Sequence, residues 1–360
     1  MRGQPERILV VIPSPAVGGA EAQTMQVARG LLGLGAEIAV AVDPALIGTL
    51  APVSGGARLL PAPIAFDAGA DPAAMQARQK AALAPVLAGY RPDVALVCLP
   101  LPQEGLGAML ALQEAGIPML GMAHLVRSDW ELGATDRAAA SGLRAGWAAV
   151  SAPAARRLEA LFGLGYGRVA AVPNGLPPAP PSEPTPRATL GLPNDVPVLL
   201  TVGRLDERKG AALAPGIAVR IAPGILTMAG EGPLQKDLVG VPGVHLLGHF
   251  RDVPALLAMA DAFLLASAHE GCPLSVLEAA RAGRPIIATA AALEAWPEAA
   301  EMALVVTRDP GSIAAAFADV LADRIGTARR VIRARQVVAA WDEEAMIRRT
   351  AWLLAAEAAR

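Results

Sequence analysis

His269-Glu270-Gly271-Cys272-Pro273-Leu274-Ser275-Val276-Leu277-Glu278-Ala279 follows directly on the apolar run Ala262-Phe263-Leu264-Leu265-Ala266. The run is short and bounded, as a buried strand is. Pro273 suits the first position of a helix, and Gly283 suits its C′ stop. The stretch therefore reads as strand, turn and helix, the repeating half of a parallel sheet. It also places two carboxylates about the turn. Glu270 lies in the loop before the helix, and Glu278 lies about five residues into it, roughly 7–8 Å along the axis.

The same alternation extends in both directions. Short apolar runs near 8–13, 37–42, 94–98, 117–122, 147–150 and 169–172 read as strands separated by Ala/Leu-rich helical segments. Pro177 to Pro186 then holds six prolines in ten residues. A segment so poor in amide donors cannot join a sheet, which makes it an extended linker. The pattern restarts near 197–202, 225–229, 244–247, 262–266, 285–289 and 303–306. The expected organisation is an N-terminal Rossmann-like domain over 1–176, a proline-rich linker over 177–190 and a C-terminal Rossmann-like domain over 191–340. A helix over 341–360 could pack against either half. Two similar α/β halves imply a cleft between them.

Composition supports this reading. A chain of 360 residues exceeds what one core usually fills. A hydrophobic fraction of 54% with 36 Gly and 32 Pro is that of a folded, soluble α/β protein. A net charge of −2 and an aromatic content of 3% argue against a nucleic-acid surface. Cys98 and Cys272, far apart in apolar surroundings, exclude a disulfide framework and point to a reducing cytoplasm. The apolar run Ile8–Ile12 is too short for a signal segment, and no window reaches the ~18 apolar residues of a membrane span.

Ligands of open parallel sheets bind at the carboxyl ends of the strands. Gly18, Gly19 and Glu21 follow the first strand, His124 follows 117–122 and Asn174 follows 169–172. Arg204, Glu231 and Glu270 follow strands of the second half. Arg204 and Lys209 stand five positions apart in Val202-Gly203-Arg204-Leu205-Asp206-Glu207-Arg208-Lys209-Gly210. Lys209 is one of only three lysines, with Lys80 and Lys236. Two cations and two carboxylates are the groups needed to hold a sugar diphosphate: the cations neutralise phosphate, and the carboxylates accept hydrogen bonds from hydroxyls. No spacing of histidines and carboxylates suggests a metal site.

Taken in order, "GGAE", "VGRLDERKG", "GEGPL" and "HEGCPLSVLEAARAGRPIIAT" resemble the large family-four group of retaining glycosyltransferases with the GT-B fold. The resemblance runs from Ile8 to about Trp341, and the glutamate pair with its continuation is its specific part. It implies two Rossmann-like domains and sugar transfer from a nucleotide-diphosphate sugar without a metal or other cofactor, the nucleotide sugar being a substrate. It assigns the donor diphosphate to Arg204 and Lys209. The transferred sugar goes to Glu270, with Gly271 and Leu274 in the same loop and Glu231 nearby, and the ribose goes to Glu278. Gly18 and Gly19 would approach donor phosphate or acceptor, and His124 the anomeric region. The acceptor would be a glycan, a lipid-linked sugar or a small molecule, by association with surface polysaccharide or glycolipid assembly. The expected location is cytoplasmic, with at most peripheral contact at the inner face of the membrane.

Two stretches depart from the family pattern. Pro215-Gly216 and Pro223-Gly224 interrupt the segment after Lys209, so its helix must be short or broken. After Thr289 the usual diglycine is replaced by Ala290-Ala291-Ala292, with Glu298 downstream. Two rivals remain open at this level: an inactive paralogue acting as a binding subunit, and a sugar-nucleotide epimerase of the same fold.

Overall fold

A computed structural model describes residues 5–178, 184–250 and 252–360. The chain divides into two compact units, the first running to Asn174 and including Glu343–Arg360, the second running from Gly175 to Asp342.

The first unit is built on a seven-stranded parallel sheet. Its strands are β1 (Arg7–Ile12), β2 (Glu37–Val42), β3 (Arg58–Pro61), β4 (Val94–Leu99), β5 (Met119–Ala123), β6 (Gly146–Ala149) and β7 (Val169–Ala171), in the order β3-β2-β1-β4-β5-β6-β7. Helices cover the sheet, so its central strands are apolar on both faces. Every residue of β4, Val-Ala-Leu-Val-Cys-Leu, is buried. Leu83, Leu106, Leu112, Trp147 and Phe162 close the core around Leu9 and Val11. Burying each such side chain contributes about 1.5–3 kcal/mol.

The second unit holds a six-stranded parallel sheet of β8 (Val198–Val202), β9 (Ile225–Ala229), β10 (Val244–Gly248), β11 (Ala262–Leu265), β12 (Ile286–Thr289) and β13 (Leu304–Val306). Its order is β10-β9-β8-β11-β12-β13. In each unit the order reverses beside the first strand, between β1 and β4 and between β8 and β11. Those are the positions where connections diverge and leave a crevice at the strand carboxyl ends.

Two features differ from the sequence expectation, and a third settles what it left open. Strand β3 is additional: four residues ending in Pro61 at the sheet edge carry too little pattern to be seen. The linker is narrower than 177–190, for Arg187–Leu190 forms a 3-10 turn fixed to the second unit. The Arg187 guanidinium donates to the carbonyls of Val196 and Met259 and pairs with Asp261 at 2.9 Å. Residues 179–183 of the expected linker lie outside the described residues. The C-terminal helix Glu343–Ala358 belongs to the first unit. Gln23 Nε2 donates to Met346 Sδ at 3.1 Å, and a Cβ on Gly30 would lie 2.1 Å from Ile347 Cδ1. Glycine at that point lets the two helices approach closely.

Candidate functional site

The loops after β8, β9 and β11 of the second unit are knitted together by backbone bonds. The Gly203 amide donates to Ala229, Leu205 to Glu231, Leu234 to Leu205 and Ala268 to Arg208, all at 2.8–3.0 Å. Glycines make this possible. Gly230 has φ +136°, and a Cβ there would lie 1.9 Å from the Gly203 carbonyl oxygen. Gly210, at φ +85°, would place one 2.6 Å from the Ala266 oxygen. No L side chain fits either place without moving backbone. The loop bearing Arg204 and Lys209 is thereby held against the loop bearing Glu270, at the point where the strand order reverses.

Lys209 Nζ donates to Glu270 Oε1 at 2.5 Å, and Arg208 Nη1 stands 3.9 Å from the other carboxylate oxygen. The Glu270 side chain is only 9% exposed, so the cations offset the cost of burying its charge. Arg204 stays outside this cluster. Its side chain is 62% exposed, with Asp206 at 3.4 Å, and little holds it against a phosphate. Glu231 is exposed and takes part in the loop lattice through its backbone carbonyl. Gly271 is buried and Leu274 half-buried at the start of the helix Leu274–Arg281, whose N-cap is Pro273. Glu278, half-buried on that helix, has its carboxyl pushed up to about 7 by burial, which Arg281 opposes. Thr289 Oγ1 donates to the Ser267 carbonyl at 2.6 Å, so the alanine segment after β12 is also fastened to this loop.

The remaining sequence candidates belong to the first unit. Gly18 and Gly19 are exposed, and Gly18 caps the helix Gly19–Gly33. Buried Glu21 accepts from the Gly18 amide at 2.6 Å and from Ser14 Oγ at 2.5 Å, which fixes the turn. A Cβ on Gly19 would meet nothing within 4 Å. The His124 amide donates to the Leu99 carbonyl at 2.9 Å, tying the loop after β5 to the end of β4. Its imidazole is buried, and Nε2 has no hydrogen-bond partner among the described residues. Burial lowers its pKa to about 3, so the ring is neutral.

Residues 196–323 match the model of the family described as glycosyl transferases group 1. The match lies wholly within the second unit. Among curated relatives, the lipopolysaccharide core biosynthesis glycosyltransferase LpsE of Rhizobium meliloti is 32% identical over 117 residues, covering 31% of this chain and 34% of LpsE. A glycogen synthase of Mycobacterium tuberculosis is 34% identical over 193 residues, 49% of this chain and 45% of the synthase. The chain thus spans less than half the length of either relative. Anabaena Alr3699/HepE, solved in complex with UDP-glucose, superposes with a TM-score of 0.77 at 18% identity, covering 97% of this chain and 99% of that one. A likeness at that identity establishes the shared architecture, which is GT-B.

Within the second unit, sequence reasoning missed two side chains that fix the site. Arg208, beside Lys209 in the same loop, approaches Glu270. Arg308, beyond β13, donates through Nε to Ala266 O at 3.2 Å and through Nη2 to Glu207 O, bracing the cation loop from below. In the first unit, Glu104 was also missed. It is buried after β4, with Oε2 unpartnered among the described residues. Burial, and then the nearby charge of Glu21, push its carboxyl up to about 7. Its only sequence signal is a lone acid just beyond a buried strand. Among the described residues no three His, Cys, Asp or Glu side chains are placed to hold a metal ion, and no helix is long and apolar enough to cross a membrane.

Proposed function

We propose that the protein transfers a sugar, with retention at the anomeric carbon, from a nucleotide-diphosphate sugar to an acceptor. The Lys209–Glu270 pair carries this reading: a cation and a carboxylate held across the reversal point of the donor-side sheet, with Arg204 exposed beside them. Donor diphosphate draws Lys209 and Arg204 onto its oxygens. Glu270, released from Lys209, accepts hydrogen bonds from the sugar hydroxyls, and Glu278 takes the ribose. As the bond to the leaving phosphate lengthens, negative charge grows where the two cations already stand. Donors held on the developing charge in this way typically contribute about 10²–10³ in rate. The cations supply what a metal would otherwise provide, so the nucleotide sugar is the only small molecule required besides the acceptor.

Retention fits front-face attack by the acceptor hydroxyl, assisted by the leaving phosphate. In the first unit, the start of the helix at Gly19, beyond the Gly18 amide that Glu21 occupies, offers its backbone to phosphate or acceptor oxygens. Neutral His124 offers Nε2 to a sugar hydroxyl. The UDP-glucose bound by Alr3699/HepE and the lipopolysaccharide role in the name of LpsE support a UDP-hexose donor and a glycan or lipid-linked acceptor. Both cysteines are free and buried, in keeping with a cytoplasmic location, peripheral at the inner membrane face when the acceptor is lipid-linked.

The test is transfer from labelled UDP-, GDP- and ADP-sugars to mono- and disaccharide acceptors, with the anomeric configuration of the product read by NMR. Retention is expected, with turnover lowered by about 10²–10³ in Arg204→Ala. Inversion would overturn the mechanism, and unchanged turnover in the variant would overturn the role of Arg204.

A further inference from the structure

The first unit has a cavity of about 780 Å³ that the transferase reading does not use. Arg144, Arg168, Arg360, Glu357, Trp147 and Leu143 are among its lining residues. Arg144 lies just ahead of β6 and Arg168 immediately ahead of β7, so the cavity opens at the amino ends of the strands. His124 and the diglycine turn stand at the carboxyl ends. Strand β5 alone rises about 16 Å between those ends at ~3.3 Å per residue. The cavity is therefore separate from both candidate ligand regions.

Its charge is unbalanced. Arg360 is engaged, donating to Glu357 at 2.8 Å. The same carboxylate lies against Gly146, where a Cβ would come within 2.5 Å of Oε1. Arg168 feels Glu357 electrostatically without bonding to it. Neither the Arg144 nor the Arg168 guanidinium has a hydrogen-bond acceptor among the described residues, and both are exposed. The backbone that carries them is fixed all the same. The Arg144 amide donates to Gln113 Oε1 at 2.6 Å, and Gln113 Nε2 donates to the Gly142 carbonyl at 3.1 Å. Trp147 and Leu143 form an apolar wall, with Trp147 held edge-on against Phe162 at 5.0 Å.

We infer that this cavity is an anion site for a phosphate monoester, with the free forks of Arg144 and Arg168 on the phosphate and the Trp147–Leu143 wall against the body that bears it. One fork satisfies the two oxygens of a carboxylate. A phosphate monoester presents three terminal oxygens and two charges, which two forks share. The bearer is either a soluble sugar phosphate or a lipid.

The experiment measures binding of a hexose 6-phosphate by calorimetry and of phosphatidic acid/phosphatidylcholine vesicles by co-sedimentation. The full chain is compared with Arg144→Ala/Arg168→Ala, Arg144→Lys/Arg168→Lys and Arg204→Ala. One of the two ligands should bind the wild type and identify the bearer. Its affinity should fall about tenfold or more in the double alanine variant and fall measurably in the double lysine variant, which keeps charge but loses the forks. Arg204→Ala should leave it unchanged, and UDP affinity should be unchanged in both double variants. Both arginines are exposed, so melting temperatures should match the wild type. Binding of neither ligand, affinity indifferent to Arg144 and Arg168, full retention in the lysine variant, or loss in Arg204→Ala would each overturn the assignment.

Discussion

Replacing Lys209 by Met tests how far the donor-side loops depend on the Lys209–Glu270 pair. At about 4 Å between charge centres and an effective dielectric near 20, the attraction is about 4 kcal/mol. Removing one partner of a buried pair typically costs about 3–5 kcal/mol, because the remaining charge is stranded. Arg208, at 3.9 Å from Glu270, recovers part of that, so about 2–4 kcal/mol is expected for Lys209→Met. Glu270→Gln should cost less, because Lys209 is 19% exposed and its flexible stem can carry the ammonium into water. The double variant removes both charges and should cost clearly less than the sum, with a coupling of about 1–3 kcal/mol. Calorimetric unfolding of the four proteins gives the cycle. For a domain of this size the single lysine change should lower the melting temperature by roughly 4–16 °C. Additive effects of the two substitutions, or equal costs for the two singles, would refute the reasoning.

Four further outcomes follow from the geometry. Glu104, with its carboxyl raised from 4.5 to about 7, keeps a proton that the unfolded chain releases between those values. Stability should therefore fall as pH rises through that window. Glu104→Gln should remove up to about 3 kcal/mol of that fall, seen as diverging denaturation curves for the two proteins; the similar Glu278 contribution cancels in the difference. The His124 imidazole should show the NMR shifts of a neutral ring down to pH 5, and a titration midpoint near 6.5 would contradict its burial. Gly230→Ala should destabilise the second unit by about 3 kcal/mol or more. Gly19→Ala should be neutral or stabilising by up to ~1 kcal/mol, so any lost activity in Gly19→Ala reports ligand approach and not folding.

The parallel-sheet architecture is legible because buried strands such as β1 and β4 are continuous apolar runs between helical segments, while the change of unit falls at Asn174–Gly175, just ahead of the proline run. Strand β3 escapes because an edge strand of four residues needs no pattern beyond its hydrogen bonds. The short helix Ala214–Ile221 follows from Pro215 and Pro223, which bound it in the sequence. The attachment of the C-terminal helix is not legible. Met346 and Ile347 announce an apolar face, but Gln23 and Gly30, more than three hundred positions away, decide what it meets. At the candidate site, residue types and strand ends can be read, and the pairing of Lys209 with Glu270 cannot. That pairing depends on glycines at 210 and 230 letting three loops interlock. Glu104 and Arg308 act through burial and backbone contact, and neither leaves a local pattern.

The most direct measurement is calorimetric binding of UDP, GDP and ADP to the wild type and to Arg204→Ala. One nucleotide should bind the wild type, and its affinity should fall by about 10–100-fold when the guanidinium is removed, with the melting temperature unchanged because Arg204 is exposed. Equal affinity in the two proteins, or no binding of any nucleotide to the wild type, would contradict a donor diphosphate held at the β8–β11 reversal.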